Sequence, residues 1–127
     1  MTVATQSIFS TYRYRDAPAA IDFLERAFGF QRGMVVEGDD GLIHHAELHF
    51  AGEWIMLGSV RDDVYPSGPT TTYVVVDDPD ALYERARAAG AEIVRDLFDT
   101  DYDSRDFAVR DPEGNVWSFG TYRPEAP

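Results

Sequence analysis

Asp16 and Asp78, Gly52 and Gly114, and Gly58 and Gly120 recur in the same order through the two halves of the chain, each pair 62 residues apart (78 − 16). Two further glycines, Gly29 and Gly90, fall 61 residues apart (90 − 29). Matched punctuation in matched order is the signature of an internal repeat, and it restricts the fold to two copies of one supersecondary unit. The 127 residues then form a single α+β domain. Its first module covers about 7–58 and its second about 70–123, with Pro66, Gly68 and Pro69 marking residues 59–69 as the link.

Within each module the order of elements is βαβββ. In the first, a strand over Ile8–Tyr14 leads to a helix capped by Asp16, with Pro18 in its first turn. Ile21, Leu24 and Phe28 follow at i, i+3 and i+7, and Gly29 ends the helix. In the second, a strand over Thr70–Val76 leads to a helix with Asp78 as cap and Pro79 at its first position. Leu82, Ala86 and Ala89 make its apolar face, and Gly90 ends it. Strands near Met34–Glu37 and Ala91–Val94 come next. Two paired strands close each half: Ile43–Phe50 turns at Ala51-Gly52 into Trp54–Leu57, and Asp106–Arg110 turns through Asp111–Asn115 into Val116–Phe119.

Composition narrows the function. The chain has no cysteine, which excludes disulfides and thiolate metal sites and fits a reducing compartment. The net charge of −12 repels a phosphate backbone, and no local basic stripe reverses it, so nucleic acid is not an expected partner. A cationic ligand would be attracted, although surface solubility explains the same charge. Apolar runs such as Tyr73–Val76 are too short to span a membrane, and Met1–Ser7 lacks the features of a signal peptide. The expected location is the cytoplasm.

The stretches YRYRDAPAAIDFLERAFGF, HAELHFAGEWIML, VVVDDPDALYERARAAGAEIV and DSRDFAVRDPEGNVWSFGTYRP together resemble the vicinal oxygen chelate superfamily, which groups glyoxalases, bleomycin-resistance proteins and extradiol dioxygenases. The resemblance implies two βαβββ modules forming an open, curved mixed β-barrel around a pocket, with the helices outside. It also implies a homodimer. Enzymes of that superfamily hold a divalent metal through His and Glu or Gln at four strand positions. Spacing to the helix caps and terminal turns puts those positions at Phe9, Met56, Thr71 and Ser118. Phenyl and thioether groups do not take such a cation, and two hydroxyls are poor substitutes. No cofactor is therefore expected, and the nearest branch is the metal-free, bleomycin-resistance-like one. A divalent metal remains the alternative.

Strand alternation extends the pocket set. If Phe9 and Met56 face the cavity, so do Thr11, Arg13 and Trp54; Thr71 brings Tyr73 and Val75, and Ser118 brings Val116. Plain core packing competes for Phe9, Met56 and Val116. Trp54 and Tyr73 suit a half-open ligand site, being large rings with a polar end. All three histidines lie in one strand, and His45, Glu47 and His49 share a face of it. Side chains two apart are separated by roughly 6.6 Å along a strand, so one ion readily bridges only two neighbours. A solvated polar face explains the same pattern. If the face lines the cavity, His45 and Glu47 form the best acid–base pair. Asp99, Asp101 and Asp103 begin like a calcium loop, but Ser104 and Arg110 break the pattern. With Asp96 and Asp106 they read as an exposed acidic loop, which Arg105 would pair with unless it met an anionic ligand.

These readings converge on metal-independent sequestration of an aromatic or cationic small molecule. A metal-dependent lyase, isomerase or dioxygenase of the same superfamily is the alternative, and a homodimer with a vestigial pocket is the third possibility.

Overall fold

The computed structural model describes residues 5–127, and the chain divides between Gly68 and Pro69 into two compact units. Each unit repeats βαβββ, and each closes its own four-stranded mixed sheet.

In the first unit β1 (Thr11–Tyr14), β2 (Gln31–Glu37), β3 (Ile43–Phe50) and β4 (Glu53–Ser59) lie in the order β1-β4-β3-β2. β1 runs parallel to β4, and the other pairs are antiparallel. Asp16 caps helix α1 (Ala17–Phe23), its carboxylate accepting from the Ala19 amide at 3.1 Å. The helix then widens into a π-helical turn over Leu24–Phe28 and stops at Gly29, whose φ of 83° is left-handed. Ile21, Leu24 and Phe28 are all buried, and α1 packs on β1 and β4. The sheet meets it with Tyr12, Tyr14, Ala46, Leu48 and Leu57, so the opposite face of the sheet is left open. Ala51 and Gly52 both take left-handed φ, which gives the β3–β4 hairpin a two-residue turn that follows the strands' twist.

The second unit repeats this with β5 (Thr71–Val75), α2 (Pro79–Ala88), β6 (Glu92–Asp99), β7 (Arg105–Arg110) and β8 (Val116–Gly120), in the order β5-β8-β7-β6. Asp78 caps α2 through the Ala81 amide at 3.1 Å, and Gly90 ends it at φ 81°. Leu82 and Ala86 are buried, and α2 packs on β6 and β7. Phe107, Val109, Trp117 and Phe119 form the core face, with the Phe107 and Phe119 rings stacked at 5.1 Å. The β7–β8 turn is organised by one side chain. Asp111, 3% exposed, accepts from the amides of Glu113 and Asn115 at 3.0 Å and from the Trp117 indole N–H at 3.1 Å. Asn115 then receives the Thr70 amide at 2.9 Å, which fixes the start of β5.

Four expectations need correction. β1 begins at Thr11 and not Ile8, because the Gln6 side chain bonds both backbone groups of Trp54 and stands in for a strand neighbour. β2 begins earlier, at Gln31, directly after the helix end. β4 runs on to Ser59, whose hydroxyl accepts from the Ile43 amide at 2.9 Å, so the link starts later. β6 continues to Asp99, which turns the supposed acidic loop into strand and a short turn and leaves Asp106 buried within β7. Among the described residues no helix is long and apolar enough to cross a membrane.

Candidate functional site

The open face of the first sheet gathers most of the residues that alternation assigns to it. Register places Thr11 beside Met56, Glu47 beside Met56, and His49 beside Trp54. The H-x-E-x-H strand therefore shares its face with the candidate ligand residues. A cavity of about 190 Å³ opens there, bordered by Thr11, Arg13, His45, Met56, Gly58 and Tyr65. Phe9 precedes the strand and is half-buried. It does not border this cavity, and neither does Trp54.

Trp54 owes its position to its neighbours. Its ring lies 4.6 Å from the His49 ring at a tilt of 40°. A Cβ added at Gly33 on β2 would come within 2.7 Å of Trp54 Cζ3, so only glycine lets the indole lie across that strand. The two rings sit side by side at that tilt and give the open face an aromatic patch.

His45 Nε2 and Glu47 Oε2 are 2.7 Å apart, so the side chains bend towards each other despite their separation along β3. A carboxylate in that position fixes the tautomer and orientation of the ring. Among the described residues no three His, Asp or Glu side chains converge to hold a metal ion. Phe9, Met56, Thr71 and Ser118, which spacing along the sequence alone assigns to the metal-ligand places, carry phenyl, thioether and hydroxyl groups that do not suit a divalent cation.

Arg13 is held above the cavity by three contacts. It donates to the Ser59 carbonyl at 3.2 Å, pairs with Asp63 at 3.0 Å, and lies 5.1 Å from the Tyr65 ring centroid. The Tyr65 amide, first, and then Arg13 hold the Asp63 carboxyl below the ordinary carboxylate range. Arg61 donates to the carbonyls of Ile43 and His44 at 3.3 and 3.1 Å. Residues 61–65 thus form a strap beside the cavity. Sequence reading treated this stretch as a link only, and no local motif marks its role.

On the open face of the second sheet, register places Thr71 beside Val116 and Tyr73 beside Ser118. Tyr73 donates to the Tyr122 carbonyl at 2.7 Å, and burial pushes its hydroxyl above the ordinary phenol range. Asp106 also lies on this face, opposite Gly120. Alternation through Asp106, Ala108 and Arg110 carries that signal in the sequence. Arg105 spends its charge elsewhere, on Asp80 at 2.7 Å and Asp99 at 3.1 Å, which raises its already high pKa further.

A family model described as Glyoxalase/Bleomycin resistance protein/Dioxygenase superfamily matches residues 8–119. An uncharacterised protein of Mycobacterium bovis is 36% identical over 115 residues, covering 83% of this chain and 76% of that protein. Among solved structures, TioX from Micromonospora sp. ML1 is 32% identical with a TM-score of 0.80, covering 93% of this chain and 99% of that one. A glyoxalase I mutant from Zea mays, 20% identical, shares the fold with a TM-score of 0.75 over 94% of this chain and 46% of its own.

Proposed function

This chain belongs to the Glyoxalase/Bleomycin resistance protein/Dioxygenase superfamily, and from that membership we propose that it binds and sequesters an aromatic small molecule without a metal ion. The observation that carries the reading is the open face of the first sheet, where the Trp54–His49 surface lies beside a cavity edged by Thr11, Arg13 and Met56. Flat apolar walls with a few polar points are what small-molecule sites use. At about 190 Å³ the cavity is smaller than the roughly 300–1,000 Å³ of drug-sized sites. It accepts one ring or side group of a larger ligand, and the rest would lie over Trp54. Homodimer formation, usual in the metal-free branch of the resemblance, belongs to the same proposal.

The test combines metal analysis with melts. Purified protein should contain no stoichiometric ion, and its melting temperature should be unmoved by Ni²⁺, Zn²⁺, Mn²⁺ or Fe²⁺. Planar aromatic compounds should raise it, and Trp54→Ala should remove about 1–3 kcal/mol of that binding while leaving the fold intact. A bound ion in molar ratio, or a metal-dependent melt, overturns the metal-free reading.

The His45–Glu47 contact favours a second reading, proton transfer on a bound substrate. Glu47 would hold one ring nitrogen while the other takes a proton from a molecule in the cavity. Under it, His45→Gln abolishes turnover of a bound compound and leaves its affinity nearly unchanged. Under sequestration there is no turnover to lose.

A further inference from the structure

The geometry points to Arg13 as the residue that selects a carboxylate on the ligand, so that the preferred ligand is an aromatic acid. This rests on the ligand-binding reading above and adds the charged group and the atoms that would hold it. Arg13 borders the cavity on the open face of the first sheet, and its side chain is only 15% exposed. Both of its hydrogen bonds use one nitrogen, Nη1, which donates to the Ser59 carbonyl at 3.2 Å and to Asp63 at 3.0 Å. Nε and Nη2 have no hydrogen-bond partner among the described residues. Among those residues no sealed side-chain nitrogen lacks a partner, so this edge of the guanidinium is open to the space beside it. The Nε–H and the neighbouring Nη2–H form a parallel fork that matches the two oxygens of a carboxylate.

The carboxylates nearby are committed elsewhere. Glu47 meets His45 at 2.7 Å, Asp40 meets His44 at 3.2 Å, and Asp63 lies on Nη1 of Arg13. Arg61 supplies a second cation: a Cβ built at Gly58, which also borders the cavity, would lie 3.6 Å from Arg61 Nη1. Arg61 Nε is 3.9 Å from Asp63, so two arginines share one carboxylate there. Asp62, on the same strap, is exposed and forms no ion pair with either. The net charge of −12 works against an anion at long range, so selection rests on the close contact with the fork and not on the field of the whole chain.

Strand spacing sets the shape of the acid. Arg13 pairs in register with Gly58, and Met56 and Trp54 follow on the same face of β4 at intervals of roughly 6.6 Å. A carboxylate on the Arg13 fork therefore leaves its first ring over Met56, whose thioether suits aromatic contact, and a fused second ring towards Trp54. One ring fits the cavity of about 190 Å³, and the second uses the indole outside it. The Tyr65 ring centroid lies 5.1 Å from the Arg13 guanidinium and helps to hold the fork in place. Every residue of this arrangement belongs to the first unit.

The test titrates wild type, Arg13→Lys and Trp54→Ala with 2-naphthoate and with its neutral amide, 2-naphthamide, by NMR. Lysine keeps the charge and removes the fork. Wild type should bind the acid roughly tenfold more tightly than the amide. Its Arg13 Nε–H resonance should move with the acid and stay in place with the amide. Arg13→Lys should lose most of the preference and keep its affinity for the amide. A preference that survives in full in Arg13→Lys overturns the proposal. So does acid binding that leaves the wild-type Nε–H resonance unmoved, a readout independent of how the variant folds. Amide binding that depends on Trp54, with the acid no tighter, sinks this inference and spares the ligand-binding reading. If neither probe binds wild type, both fall.

Discussion

At the scale of single residues, polar side chains fix the turns, and Asp111 does the most. It accepts from two backbone amides, the Asn115 amide side chain and the Trp117 indole from a nearly sealed position. Replacing it by alanine leaves several buried donors unsatisfied, each at about 1–3 kcal/mol. Asp111→Ala should cost about 3 kcal/mol or more by urea unfolding. A cost under about 1 kcal/mol would show that water replaces the network. The DPEGN stretch was legible as a turn from its Pro and Gly. Its role as an anchor for Trp117 and Thr70 was not, because hydrogen bonds across 45 residues leave no local pattern. Asp106 was misread for a different reason. Its acidic neighbours outvoted the strand alternation that sets it on one face with Ala108 and Arg110.

At the scale of elements, the helices were the most legible parts because caps, apolar spacing and terminal glycines agree. Asp16→Ala and Asp78→Ala should each cost about 1 kcal/mol in thermal or urea melts. The π-helical turn of the first helix has no counterpart in the second, and nothing in the sequence announces it. Strand limits were less legible, since Gln6 supplies by side chain what a strand supplies by backbone. The strap over residues 61–65 makes a prediction about acid. Asp63 has a lowered folded-state pKa, so its contribution is fully present above the ordinary carboxylate value of about 3.9 and fades as pH falls through the lower folded value. The protection of the Tyr65 amide, the donor to Asp63, measured as its exchange relative to the intrinsic rate at each pH, should therefore be high at neutral pH and fall as pH drops below the ordinary carboxylate value of about 3.9. Asp63→Asn should show faster exchange already at pH 7. Unchanged protection across that range would mean the strap is held by the Arg13–Tyr65 contact alone.

At the scale of the whole molecule, duplication was the most reliable inference, and register bears it out. Tyr73 pairs with Ser118 as Thr11 pairs with Met56, and both partners are offset by the same 62 residues (73 − 11, 118 − 56). All 11 basic residues are arginines, so the excess of acidic over basic groups (23 − 11 = 12) persists across the neutral range. Self-repulsion of that size should be relieved by salt, and the melting temperature should rise as NaCl is increased from low ionic strength. A melt that is flat in salt would mean that local pairs such as Arg105 with Asp80 already balance the field.

Each sheet closes within its own unit, because the first strand of each module pairs parallel to the last. No strand has to be lent across the junction at Gly68 and Pro69. A gene of half this length would thus already encode a complete ladder, and one tandem copying event could join two without redrawing any pairing. Each copy can then change on its own, because neither ladder depends on residues of the other.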